Sequence, residues 1–259
     1  MNERSLSLRK NGYLVVKNFL SHKNADSMLD SLKYPFNIMI KKHCLERESF
    51  NESIVLLFNN HYKSFLGATR QLHNNIDIHE LGSGKLMKSL LNSVGLNSPY
   101  FCSIPMVVFN CSLLAREEYQ HKTPIHQDWR SMQGSTDSLV AWLPLVEVNK
   151  KNGAIEILPS SHTKGLLKTV EDKWYRKIPD ELVDLNKFVT INLSKGDLLL
   201  FSSTLVHRSG FNSTKNMRWA CQFRYNNLDE SSFIDREFFN PYTNKPSSDL
   251  KHNYPGFDI

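Results

Sequence analysis

The triplet His126-Gln127-Asp128, joined much later by His207 in the run Val206-His207-Arg208-Ser209-Gly210, holds the side chains best suited to chemistry. Two imidazoles and one carboxylate form the facial donor set that binds non-haem iron(II) and leaves three coordination positions open. Alone the triplet is weak, because ten histidines in 259 residues make a chance histidine-x-aspartate common. The surrounding pattern has to agree.

Elements must bring these residues together. Asn11 to Leu20 reads as a turn and a strand, and Ser21 is placed to cap a short helix over residues 24–32 with Ala25, Met28, Leu29 and Leu32 on one face. Between residues 52 and 94 apolar side chains recur at helical spacing, as in Ile54, Leu57 and Phe58 and then Leu86, Met87, Leu90 and Leu91. Residues 1–98 are therefore expected to be mainly helical, up to the turn formers between Asn92 and Pro99. Beyond them the period becomes two, with strand-like runs at 104–114, 138–148, 153–158, 188–193, 197–201 and 218–225. Val189, Ile191 and Leu193 should face one way and Phe188, Thr190 and Asn192 the other. In the last run Trp219, Cys221, Phe223 and Tyr225 oppose Arg218, Ala220, Gln222 and Arg224. Helices first and strands after predict one domain over 1–259, mainly β. Its jelly-roll core at 99–228 is buttressed by the N-terminal helices, carries an insertion at 163–187 and ends in an irregular tail at 229–259.

The four cysteines, Cys44, Cys102, Cys111 and Cys221, show neither zinc-ribbon nor disulfide-scaffold spacing. The charged start and the lack of a long apolar run predict a cytoplasmic protein with no membrane span. A net charge of +6 and a pI near 9.0 come from dispersed basic residues, so no nucleic acid partner is expected. Positive charge can still gather an anionic small molecule. Oligomeric state is not legible in the chain.

The motifs taken in order resemble the phytanoyl-CoA dioxygenase family of iron(II)- and 2-oxoglutarate-dependent oxygenases. They are Gly12-Tyr13-Leu14-Val15-Val16, Thr123-Pro124-Ile125-His126-Gln127-Asp128-Trp129, Trp142-Leu143-Pro144-Leu145, Asn152-Gly153-Ala154, Leu158-Pro159-Ser160-Ser161-His162, Lys195-Gly196-Asp197 and His207-Arg208-Ser209-Gly210-Phe211-Asn212 with Arg218. The resemblance implies a cupin-like double-stranded β-helix. It also implies iron(II) on His126, Asp128 and His207, with 2-oxoglutarate and O2 as cosubstrates, and hydroxylation of a small-molecule substrate with release of succinate and CO2. Arg218 matches the arginine that pairs with the distal carboxylate of 2-oxoglutarate, Ser209 a hydroxyl that joins it, and Trp142 a ring that walls the pocket. Retention of Asp128 separates the chain from halogenases of similar fold, which keep a small residue there. By position, Trp129, Arg130, Met132 and Gln133, with Trp174, Tyr175 and Arg176 in the insertion, are the candidates for substrate contact. Oxygenases that modify protein or nucleic acid, and a non-catalytic jelly-roll binding protein, remain the alternatives.

Overall fold

The computed structural model describes residues 3–116, 122–171 and 176–239. Ser21 caps its helix as expected, its hydroxyl accepting the Asn24 N–H at 3.2 Å. That helix, α2 (His22–Lys42), follows α1 (Glu3–Asn11) and runs well past the expected end at residue 32, with Pro35 inside it. A proline there forfeits one backbone donor and crowds the preceding turn. What offsets the loss is the apolar stripe that continues through Phe36 and Ile40, both buried. The Phe36 ring meets Phe50, Phe65, Phe109 and Trp219 at centroid distances of 5.6 to 6.4 Å. The helix α3 (Phe50–Asn60) opens on a Ser49/Glu52 capping box. It is followed by α4 (Tyr62–Gln71), α5 (Ile76–Ser83) and α6 (Lys85–Ser93), so the helical first part stands, interrupted by β1 (Tyr13–Val16).

The remaining strands are β2 (Pro99–Phe101), β3 (Met106–Asn110), β4 (Leu139–Pro144), β5 (Ile155–Ile157), β6 (Val170–Glu171), β7 (Arg176–Lys177), β8 (Val189–Thr190), β9 (Leu198–Ser202), β10 (His207–Ser209) and β11 (Arg218–Asn227). A larger antiparallel sheet has the order β1-β9-β4-β11-β2, with β3 also on β11, and a smaller one has the order β10-β5-β8. Between them lies an apolar layer that includes Val140, Trp142, Ile155, Ile157, Ile191, Leu199, Phe201 and Ala220. This is the helix-buttressed jelly roll that the periodicity predicted.

The strand β11 shows why the helices matter. Trp219, Cys221, Phe223 and Tyr225 join the core shared with the helices, while Arg218, Gln222 and Arg224 turn toward the cavity between the sheets. The alternation of this run is thus as expected. The run at 188–193 is not: only Val189 and Thr190 form a strand, and Val189 is 42% exposed although Ile191 and Leu193 are buried. Val189 pairs with Ile157 at the outer edge of the smaller sheet, where among the described residues no strand pairs beyond β8, and the chain turns inward only afterwards, at the Val148–Leu193 bridge. The insertion carries the β6–β7 hairpin. The tail holds one short helix, α8 (Ser231–Asp235), and its residues 240–259 lie outside the described residues. Gly196 sits at φ 84°, where a Cβ would run into the Leu20 carbonyl, which is why the hairpin before β9 carries glycine. No helix among the described residues is long and apolar enough to cross a membrane.

Truncating Phe36 to alanine should cost about 3–5 kcal/mol in chemical denaturation. Ile76→Ala, at a position 80% exposed, should change stability by no more than about 0.5 kcal/mol. Equal losses would contradict the placement of the core.

Candidate metal centre and its cavity

Two backbone hydrogen bonds bring the histidines together: His126 N–H donates to His207 O at 3.0 Å and His207 N–H to His126 O at 3.1 Å. The rings then lie side by side, centroids 4.2 Å apart. Each ring is oriented in the same way, with His126 Nδ1 2.8 Å from Pro124 O and His207 Nδ1 2.9 Å from Leu205 O. A carbonyl only accepts, so in the neutral form of each ring the proton sits on Nδ1 and the lone pair on Nε2, the atom turned toward the metal cluster.

Asp128 stands where the extended segment turns into the short helix α7 (Trp129–Met132), its carbonyl accepting from the Ser131 and Met132 N–H groups. Its Oδ1 is 3.9 Å from His126 Nε2 and its Oδ2 is 3.6 Å from His207 Nε2. One donor atom from each of the three residues lies within 4.8 Å of the other two, and no other such cluster was found among the described residues.

The residues present fit an iron(II) ion. Asp128 Oδ2 is buried with no hydrogen-bond partner, a costly state for a carboxylate oxygen that a divalent cation relieves. Two neutral nitrogens and one carboxylate oxygen are also the donors iron(II) takes. Burial first, then the neighbouring His207, pushes His126 down to about 4. For Asp128 burial acts upward, but Arg224 and then the two imidazoles outweigh it and hold the carboxyl down to about 2. At neutral pH His126 is neutral and Asp128 ionised, the states that bind metal.

The cluster opens on a cavity of about 720 Å³. Arg218, at the start of β11, reaches it from a position only 3% exposed. Its guanidinium donates to Gly153 O and lies 5.5 Å from the Trp142 ring centroid. Among the described residues no carboxylate pairs with it, and its buried Nε has no partner. Burial lowers Arg218 to about 10, which leaves it charged. Ser209 Oγ accepts the Thr123 N–H at 2.6 Å, so its own proton is available to the cavity that Ser209 and Trp142 both line.

The substrate candidates separate. Arg130 and Gln133 line the cavity, as does Arg176, which also meets Glu171 at 3.3 Å. Trp129 does not line it and is corrected to a core residue: α7 turns its ring inward, fully buried, with Nε1 donating to Ser135 O at 3.1 Å. Met132 is likewise buried in the apolar layer between the sheets. Trp174 and Tyr175 lie outside the described residues.

Two residues with no assigned role emerge. Arg224 donates to Asp128 Oδ1 at 3.0 Å and to Met106 Sδ at 3.0 Å. Gln127 fastens the insertion to the metal segment, donating to Gly165 O at 2.8 Å and Thr204 O at 2.6 Å and accepting from Leu167 N at 2.9 Å. The period of β11 already put Arg224 on the face of Arg218, but its partner comes from a distant turn.

Comparison with known proteins decides the family, since residues 8–220 match the phytanoyl-CoA dioxygenase (PhyH) profile. The chain belongs to the phytanoyl-CoA dioxygenase family. The peroxisomal phytanoyl-CoA dioxygenase of Rattus norvegicus is 31% identical over 116 residues, a match that spans 41% of this chain and 34% of that protein. The phytanoyl-CoA dioxygenase domain-containing protein 1 homolog of Dictyostelium discoideum is 22% identical, covering 84% of this chain and 88% of that one. Among solved structures, EvdO2 from Micromonospora carbonacea var. aurantiaca complexed with 2-oxoglutarate superposes with a TM-score of 0.59 at 16% identity, covering 87% of this chain and 90% of that one. That likeness shows the shared jelly-roll fold.

A pH prediction follows for this family member without metal. The unfolded chain protonates His126 near 6.5 and the folded chain near 4, so the unfolded state binds more protons in that window and stability falls as pH drops through it. The contribution of Asp128 holds above 3.8 and is lost toward 2. His126→Asn should therefore flatten the pH dependence of thermal stability between 6.5 and 4. An unaltered slope would contradict a half-buried imidazole held neutral by its surroundings.

Proposed function

We propose that the protein is an iron(II)- and 2-oxoglutarate-dependent dioxygenase that hydroxylates a small anionic metabolite and releases succinate and CO2. The observation that carries this reading is Arg218, a buried cation with no carboxylate partner among the described residues, in the same cavity as a metal-ligand cluster with an orphaned carboxylate oxygen. In a site of low dielectric such a cation calls for an anion.

His126 Nε2, His207 Nε2 and one oxygen of Asp128 would hold the iron, and Arg218 with the Ser209 hydroxyl would hold the distal carboxylate of 2-oxoglutarate. A planar guanidinium suits that carboxylate because paired charge-assisted hydrogen bonds set direction as well as distance. Trp142 would wall the cosubstrate. Iron(II) with 2-oxoglutarate and O2 supplies the oxidation, in which one oxygen atom enters succinate, the other enters the substrate as hydroxyl, and CO2 leaves.

The charge of the walls supports an anionic substrate. Arg130, Arg176, Arg208, Arg218 and Arg224 line the cavity, and three of them are ion-paired, Arg208 with Glu156 at 2.6 Å, Arg176 with Glu171 at 3.3 Å and Arg224 with Asp128 at 3.0 Å, so the walls keep an excess of positive charge. Arg130 and Gln133 are the proposed substrate contacts, with Arg176 at the mouth. None of the four cysteines is in a disulfide, in keeping with the cytoplasm proposed as its location.

The reading is tested by incubating the iron-loaded protein with 2-oxoglutarate and metabolite fractions, measuring succinate above the uncoupled background and then looking for an added oxygen by mass. Anionic fractions should stimulate turnover, less so at high salt. Turnover confined to neutral compounds and indifferent to salt would contradict the charge reading. No stimulation together with no iron or 2-oxoglutarate binding would overturn the activity. Arg218→Ala should raise the 2-oxoglutarate requirement roughly 10- to 100-fold, the worth of a charged hydrogen bond, with iron still bound. An unchanged requirement would show that another group anchors the cosubstrate.

A further inference from the structure

We propose that Arg224 selects which oxygen of Asp128 meets the metal: by holding Oδ1 it leaves Oδ2 as a single, directed ligand. The inference rests on the metal-centre reading above and concerns a positioning residue.

A carboxylate left to itself has two equivalent oxygens and can grip a cation through both. Here the two differ. Oδ1 accepts from Arg224 Nη2 at 3.0 Å, whereas Oδ2 is buried, has no hydrogen-bond partner and sits 3.6 Å from His207 Nε2. A charge-assisted hydrogen bond draws electron density from the oxygen that accepts it, so Oδ1 becomes the poorer donor and is fixed in direction. Chelation through both oxygens would occupy one of the positions that the facial set leaves for other ligands.

Arg224 is itself held. Its Nη1 donates to Met106 Sδ at 3.0 Å on β3, the strand next to β11, and the guanidinium is thus pinned at two corners. The fork matters, because a lysine ammonium is a point charge on a flexible stem and cannot span both acceptors in a fixed plane. The residue stands on the strand face that also carries Arg218, so one rigid element sets the carboxylate ligand and the buried cation in a common frame.

The test compares wild type with Arg224→Met and Arg224→Lys in Mn(II) affinity by calorimetry, in the ligand-field absorption of the Co(II)-loaded protein and in melting of the metal-free protein. Loss of a partner that orients a ligand typically costs about 10–100-fold in metal affinity. Arg224→Met should show that loss with an altered Co(II) spectrum, and Arg224→Lys, which keeps a positive charge beside the buried carboxylate, should recover part of both with metal-free melting close to wild type. Wild-type affinity and spectrum in Arg224→Met would overturn the proposal, as would equal damage in both variants accompanied by loss of metal-free stability. Should Arg224→Met fail to fold, Arg224→Lys decides: weaker Mn(II) binding at unchanged melting supports the proposal, and wild-type binding overturns it. Failure of the wild-type protein to bind Mn(II) would instead count against the metal centre itself.

Discussion

The pair of backbone hydrogen bonds between His126 and His207 governs the site. Side chains on extended chain alternate faces, so a slip of one residue in this pairing would turn an imidazole away from its partner and dissolve the donor set. The surrounding bonds guard against that slip. His207 is registered on Ile157 and Ser209 on Ile155 in the smaller sheet, Ser209 Oγ takes the Thr123 N–H, and Gln127, between the two ligands, is fastened on its own side to Gly165, Thr204 and Leu167. Those contacts order the metal segment and the start of the insertion together.

The strand β11 works in parallel from the other sheet. Its outer face is locked into the helical buttress, with Trp219 against Phe36, Phe50 and Phe109, and its inner face delivers Arg218, Gln222 and Arg224 to the cavity. Because the two faces alternate residue by residue, apolar packing of Trp219 also settles where Arg218 points. The helices, remote from the chemistry, thereby set the precision of the site. Function depends on packing here because a buried cation without a carboxylate partner is tolerable only where the framework does not yield.

Legibility in the sequence tracked the range of the forces involved. The alternation of 218–225 was readable because period two is a local property, and the Ser21 cap because its partner lies three residues on. Helix α2 runs past the 24–32 stretch that its local spacing marks, because the aromatic cluster that carries it across Pro35 is assembled from distant segments. Proximity to Asp128 in the sequence points Trp129 toward substrate, but a helical turn intervenes and sends the ring into the core. Arg224 and Gln127 had no motif to mark them, since their partners, Asp128 and the Gly165 and Leu167 backbone, are neighbours only after folding. The ligand types themselves were legible because metal chemistry restricts the choice of side chain.

The central claim is most directly tested by a crystal structure of the protein soaked with Mn(II) and 2-oxoglutarate, with the metal located by anomalous scattering. The expected result is one ion bound by His126 Nε2, His207 Nε2 and Asp128 Oδ2, with the far carboxylate of 2-oxoglutarate on Arg218. An ion bound elsewhere, or an empty cluster beside ordered 2-oxoglutarate, would contradict it.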